Sequence, residues 1–211
     1  TTFSGNTARN NTLNGILVDS TDIIGNTVWQ SNLPYIIDYA KAIDLNATLT
    51  IKEGTVVKIK PQTGTGWTGY ATVYGKLVTE GTAANPVVIT AFSDDEYGGD
   101  TNNDGTSTLP VAGSWRWLRF NSLTATSTLD GTIIRYGGGN CSGGFCWGAI
   151  TQTAGVGIEI KNSIIEKNIW GIFSNESPCS NVFQKIKLEN NTFRQNSINI
   201  HLGSGNQCTP P

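Results

Sequence analysis

The chain contains no methionine, a single histidine and few charged side chains. Charged residues make up only 14% of its 211 residues, and the formal net charge is −2. Nucleic-acid binding needs a basic surface, and this sequence has neither the charge nor a run of Lys or Arg to form one. No apolar stretch approaches the roughly 20 residues that cross a bilayer. The sequence therefore predicts no nucleic-acid partner and no membrane span.

Glycine is frequent, with 25 residues, and Thr and Asn are abundant. This composition is typical of β-rich proteins with many turns, and the length suits one domain with a sizeable core. Because no initiator methionine is present, we expect a mature form whose leader has been removed, or a chain trimmed at its start.

Four cysteines suggest the two disulfides of an exported protein. Cys141 and Cys146 are compatible with a local staple, which would leave Cys179 and Cys208 to join the C-terminal tail to the preceding insertion. Three pairings remain possible on the sequence. A zinc site is the alternative, but the spacing of Cys141 and Cys146 is wider than a CxxC knuckle and His201 is a poor fourth ligand. We expect an extracellular or cell-surface protein.

Two segments near the C-terminus repeat each other at a constant offset of 28 residues. Residues 158–172 align with residues 186–200, so that apolar positions match apolar positions and Asn162 and Asn168 match Asn190 and Asn196. A less complete copy at residues 129–137 aligns with residues 160–168. Repeats of this length indicate a solenoid or a propeller, because one unit alone cannot bury its apolar face.

Within each repeat the apolar residues alternate with period two and are interrupted by Asn, Gly or Ser after a few residues. This pattern predicts very short strands separated by tight bends. We predict an all-β fold, a right-handed parallel β-helix with loop excursions, in which corner Asn residues adopt left-handed conformations and stack on the next coil. A β-sandwich with chance similarity is the alternative.

The N-terminal segment does not match the repeat, so we divide the chain into residues 1–30 and a β-helix domain at 31–211. Residues 1–30 would cap the first coil, or would pair with a neighbouring subunit as a donated strand. The chain's most acidic stretch follows a predicted buried strand and contains the D-x-N-x-D-G pattern of a calcium loop. We expect a structural Ca²⁺ site there, and the alternative is a solvated turn. Its candidate ligands are Asp94, Asp95, Asp100, Asn102 and Asp104.

Four segments carry a family resemblance: residues 48–59 with their Glu-Gly bend, residues 73–90, the acidic stretch and residues 115–120. Over roughly residues 45–205 the chain resembles secreted bacterial and archaeal right-handed parallel β-helix repeat proteins, which share the pectate-lyase-like superfold. The resemblance implies this fold and export, but it does not imply an activity, because the fold serves many functions. The catalytic motifs of pectate lyases and polygalacturonases are absent. By that resemblance, Arg116 and Arg119 are the candidates nearest in sequence to the acidic stretch for a lyase base.

Three functions follow as hypotheses. The first is a non-enzymatic structural or adhesive protein whose partner is a second copy of itself, assembled into a filament. The second is polysaccharide binding through aromatic side chains that stack on sugars. The third is a calcium-dependent polysaccharide lyase. The aromatic candidates are Trp67, Tyr70, Trp115, Trp117 and Trp147, and His201 is predicted to have a capping or surface role.

Overall fold

The computed structural model describes residues 5–19, 22–38, 41–44, 46–61, 69–139, 141–142, 145–153, 155–175 and 185–202. Twenty-one strands, numbered in chain order, lie in this part of the chain. Nineteen of them form three parallel sheets, and the remaining two form a short antiparallel hairpin.

Sheet A contains β1 (Ile16–Val18), β3 (Tyr35–Ile37), β6 (Val56–Ile59), β9 (Val87–Ala91), β12 (Thr132–Arg135), β17 (Ile164–Glu166) and β20 (Thr192–Arg194). Sheet B contains β4 (Lys41–Ile43), β7 (Tyr70–Val73), β10 (Trp117–Phe120), β15 (Ile150–Gln152), β18 (Trp170–Ser174) and β21 (Ile198–Leu202). Sheet C contains β2 (Asn26–Trp29), β5 (Thr48–Lys52), β8 (Lys76–Glu80), β11 (Ser127–Asp130), β16 (Ile158–Lys161) and β19 (Ile186–Glu189). The hairpin consists of β13 (Cys141–Ser142) and β14 (Phe145–Cys146).

The chain passes through the three sheets in a fixed order, A then B then C, and each strand pairs in parallel with the strand one coil away. The predicted parallel β-helix is therefore confirmed. In the first coil an isolated bridge from Ile23 to Ile43 takes the place of a sheet B strand. No helix in the described residues is long and apolar enough to cross a membrane.

The offsets read from the sequence are the registers of the sheets. Ile158 pairs with Ile186, Ile165 with Phe193 and Ile172 with Ile200, each 28 residues apart. Leu129 pairs with Ile160, which is the offset of 31. Because each strand contributes alternate residues to the inside, the repeat places apolar side chains directly over one another and builds one continuous core.

The asparagine corners are partly as predicted. Asn162 and Asn190, at the corner from sheet C to sheet A, have positive φ angles of 51° and 52°. At the corner from sheet A to sheet B, however, the positive φ belongs to Lys167, while Asn168 points inward. Asn168 is fully buried there, and its amide reaches the coils on both sides. One corner thus uses Asn for its backbone conformation and the other uses it for its hydrogen bonds.

The N-terminal segment divides into two parts. Residues 16–29 form the first coil, since β1 pairs with β3 and β2 pairs with β5 of the same chain. Residues ahead of them lie against the side of the solenoid, where the Asn14 N–H donates to the Thr101 carbonyl at 2.8 Å. Residues 1–4 lie outside the described part. The described strands of this segment therefore pair within their own chain.

Replacing Asn168 tests the corner ladder. The Asn168 amide accepts from the Gly137 N–H at 2.7 Å and donates to the Ile134 carbonyl at 3.1 Å, both in buried surroundings. We expect Asn168→Ala to lower the free energy of unfolding by about 2–4 kcal/mol, because two buried backbone groups lose their partners. Urea denaturation measures this. Asn162→Gly is the control, because Asn162 is exposed and glycine tolerates its positive φ. An equal loss in both variants would contradict this role.

Candidate functional site

A row of charged side chains follows the outer face of sheet A, where solvent would normally be expected. Lys58 pairs with Thr90, Arg135 with Glu166, and Glu166 with Arg194 on successive coils. Lys58 and Arg135 are nonetheless among the most deeply buried side chains of the protein. They are covered by the acidic loop, residues 93–108, which leaves β9 and folds back over the sheet.

Arg135 is the anchor of this loop. Its side chain is only 1% exposed, and its Nε lies 3.5 Å from Asp94 and 3.5 Å from Glu166. Its Nη2 donates to Glu96 and to the Tyr136 hydroxyl, both at 2.7 Å. Burial alone lowers the pKa of Arg135, but the bonds to Glu96 and Tyr136 outweigh it and raise the pKa overall. The same bond lowers the pKa of Glu96.

Lys58 holds the loop at a second point. It has no exposed surface, and its Nζ donates to the Gly99 carbonyl at 2.6 Å. Burial lowers the pKa of Lys58 to about 8, although the nearby Asp95, Asp94 and Asp100 oppose the shift. Two buried cations, one on β6 and one on β12, therefore fix the acidic loop on sheet A.

The loop brings three carboxylates together. One oxygen from each of Asp95, Asp100 and Asp104 lies within 4.8 Å of the others. Asp100 shapes the turn, since its two oxygens accept from the N–H groups of Asp104 at 3.1 Å and Gly105 at 2.9 Å. Burial raises the pKa of Asp95, and the charges of Asp100 and Asp104 add to this while Lys58 opposes it.

Three side-chain oxygens in this loop are buried without a hydrogen-bond partner: Oδ1 of Asp95, Oδ1 of Asn102 and Oδ1 of Asp104. Asn102 is tied to the cluster by its Nδ2, which donates to Asp104 Oδ2 at 2.7 Å. Buried acceptors without donors are costly, and like charges close together add to the cost. A hard cation bound by oxygen ligands would remove both penalties, so the residues fit Ca²⁺.

Of the five predicted ligands, the structure brings together Asp95, Asp100 and Asp104 and places Asn102 beside them. Asp94 is the exception, and its assignment as a ligand is corrected. It is buried against Arg135 and accepts from the Thr90 hydroxyl at 2.5 Å, so it is committed to the anchor. Sequence reasoning missed Arg135 and Lys58. A basic residue on a predicted strand in register with Glu166 was the available signal for Arg135.

The predicted aromatic candidates separate into three groups. Trp67 lies outside the described residues. Trp115 belongs to the core, with no exposed surface and its Nε1 donating to the Arg135 carbonyl at 2.9 Å, which corrects its assignment as a sugar-binding residue. Trp117 packs between Tyr70 and Trp147, at ring distances of 5.1 and 5.8 Å, on the sheet B side. Because Trp117 is 5% exposed, this row is packed rather than open to a ligand.

The basic candidates for a lyase do not face the acidic loop. Arg119 lies on sheet B, where its Nε donates to Thr153 and its guanidinium lies 5.9 Å from the Trp147 ring centre. Arg116 precedes the same strand and lies over the Trp117 ring. The acidic loop covers sheet A instead. His201, on β21, stacks on Trp170 at 4.3 Å, and burial lowers its pKa.

The hairpin β13–β14 sets Cys141 opposite Cys146 in its antiparallel register. Directly opposed residues have α-carbons about 4.5–5.5 Å apart, which is within the range that a disulfide needs. Cys179 and Cys208 lie outside the described residues. The disulfide pairing remains a prediction.

Both ends of the solenoid are open. At the C-terminal end, Leu188 and Ile200 are inward positions that are 40% and 36% exposed, whereas their partners one coil earlier, Ile160 and Ile172, have no exposed surface. At the N-terminal end the first coil surrounds an opening of about 580 Å³. No strand in the described part of the chain pairs with the outer edge of either terminal coil.

No family model, curated protein or solved structure matches this chain.

Replacing Arg135 tests the anchor. We expect Arg135→Met to lower the free energy of unfolding by about 3–5 kcal/mol, because Asp94 and Glu166 would be left as buried unpaired charges. The control is Lys52→Met, which removes the exposed partner of Glu80 on sheet C and should cost less than about 1 kcal/mol. Denaturation gives both values, and amide exchange should become faster in the acidic loop of Arg135→Met alone. Equal stability of the two variants would refute the anchor.

Proposed function

We propose that this protein is a secreted, non-enzymatic structural subunit that assembles end to end into an extracellular filament or surface layer. The observation that carries the proposal is the pair of open ends. Each presents the edges of the same three parallel sheets, and the C-terminal end also presents inward apolar side chains. Unpaired parallel edges beside apolar surface favour further strand pairing.

A second copy is the partner that fits both ends. Each end needs three parallel strands at once, in a triangular arrangement with the same spacing, and the opposite end of this chain supplies them. The contact joins two different surfaces, so it does not close and propagates as a fibre. Stacking is favoured over strand donation because the described strands of residues 16–29 already pair within their own chain.

The alternatives have less support. The aromatic row beside Trp117 packs as a second cluster, which weighs against a glycan platform in this conformation. The basic candidates Arg116 and Arg119 lie away from the acidic loop, which weighs against the lyase. A glycan could still be bound elsewhere on a filament, and glycan arrays with the assembled protein would detect it.

A structural calcium ion is part of the proposal. Ca²⁺ at Asp95, Asn102, Asp100 and Asp104 would neutralise the carboxylate cluster and give partners to the three unpaired oxygens. Its effect would be to hold the acidic loop on sheet A together with Lys58 and Arg135. The support is the geometry of the loop and the chemistry of its oxygens.

Charge placed on the open end tests assembly. We expect the wild type to form filaments at high concentration with a subunit repeat of roughly 34 Å, from seven strands of sheet A spaced ~4.8 Å apart. Ile198→Lys with Ile200→Lys should abolish them, because two ammonium groups would be buried in each joint. Electron microscopy and sedimentation measure this.

The matched control is Leu123→Lys, which alters an apolar side chain that is 76% exposed in a loop away from both ends. It should assemble like the wild type, and the melting temperature of each monomer checks its folding. Monomeric wild-type protein at every concentration tested would contradict the proposed function.

Calcium has a test of its own. We expect millimolar Ca²⁺ to raise the melting temperature of the wild type, with affinity on the order of 10⁻⁴–10⁻³ M as in other extracellular modules. Asp104→Asn should remove this response while leaving the calcium-free protein as stable or more stable, because it relieves charge repulsion. Asp130→Asn, on sheet C, should retain the response. Calorimetry without heat of Ca²⁺ binding to the wild type would exclude the site.

A further inference from the structure

We infer that Asp19 of one copy continues the corner ladder of the copy before it by accepting a hydrogen bond from the Asn196 N–H group. The inference rests on the proposed end-to-end assembly and identifies the contact that sets its register. It starts from a hydrogen-bond pattern inside the single chain.

The pattern lies at the corner from sheet A to sheet B. The Gly137 N–H donates to Oδ1 of Asn168 at 2.7 Å, one coil further along. The Asn168 N–H donates in the same way to Oδ1 of Asn196 at 3.0 Å. In both steps a backbone N–H is satisfied by a side-chain oxygen from the next coil.

The ladder stops at the last coil. The Asn196 N–H is next in the series, and no acceptor for it is found among the described residues. A backbone N–H that is buried without a partner carries a penalty comparable to a lost hydrogen bond. A coil stacked on this end therefore needs a side-chain oxygen at this corner position.

The strand registers identify that position in the first coil. Val18 pairs with Ile37, and Ile37 pairs with Ile59, so the next residues along, Asp19, Asp38 and Lys60, share one column. The Lys60 ammonium contacts Asp38 at 2.9 Å, as the column requires.

The same column continues to the last coil. Lys60 also lies over the Phe92 ring at 5.4 Å, and the pairing of Ile89 with Ile134 carries the column from Phe92 to Gly137. The ladder then leads to Asn168 and Asn196. A copy stacked in register would thus place Asp19 next after Asn196, with a carboxylate oxygen in the position of the Asn Oδ1.

The charges of the two ends agree with this contact. Within residues 16–30 the charged side chains are Asp19 and Asp22, both carboxylates that border the N-terminal opening. The last coil, residues 185–202, carries three cations and one carboxylate. A negative end therefore meets a positive end, which favours head-to-tail over head-to-head contacts.

Asp19 variants of the full chain test the contact. Asp19→Ala should raise the critical concentration for filament formation about tenfold, because each joint loses one charge-assisted hydrogen bond. Asp19→Asn keeps the oxygen acceptor and should restore assembly to within about threefold of wild type, since the acceptor rather than the charge completes the ladder. Expression in bacteria without a glycosylation system avoids modification of the Asn-Ser-Thr sequence that Asp19→Asn creates.

The matched control is Asp22→Ala, which removes the other carboxylate of the same opening. Sedimentation of each variant over a concentration series gives the critical concentration, and monomer melting checks folding. If Asp19→Ala and Asp22→Ala assemble equally well while the double Lys variant at Ile198 and Ile200 does not, the Asp19 contact is wrong and end-to-end assembly stands. Absence of assembly by the wild type overturns both.

Discussion

Parallel pairing between coils is the constraint on which this structure depends. Each coil must present the same three strands at the same positions as its neighbours, because every backbone group of one coil bonds to the next. Inward side chains therefore stack in columns, and a column accepts only residues of compatible size and polarity. Isoleucine fills most of these positions near the C-terminus, and Asn168 fills a polar one at a corner.

Buried charge has a different role on two faces of the same solenoid. On sheet C the alternating Lys52, Glu80 and Asp130 remain close to solvent, where ion pairs contribute little to stability. On sheet A the acidic loop seals Arg135 and Lys58 from water. Removing a partner from a sealed pair is costly, so these side chains specify one position for a long excursion that has no strands of its own. The loop is thereby placed as firmly as the sheets beneath it.

The sequence carried the information for the coils but little of the information for their outer surfaces. The 28-residue offset predicted the pairs Ile158–Ile186 and Ile172–Ile200 because identical columns leave identical patterns. The spacing of Asp100, Asn102 and Asp104 likewise reflects a local turn, so the cluster could be anticipated. Asp94 was assigned wrongly because its partner, Arg135, is 41 residues away and reaches it only after the loop folds back. Trp115 was misplaced because a tryptophan beside a glycine-rich excursion has the same local sequence whether it points inward or outward.

The first coil has a mechanical consequence. Along the solenoid axis the coils are connected in series, so a pulling force loads every interface equally and the weakest interface yields first. Most interfaces carry three paired strands, but the first coil meets sheet B only through the single bridge from Ile23 to Ile43. Under axial tension the molecule would open there, and the remaining coils would keep their length. The first coil would thus act as a mechanical fuse that limits the force reaching the rest of the solenoid.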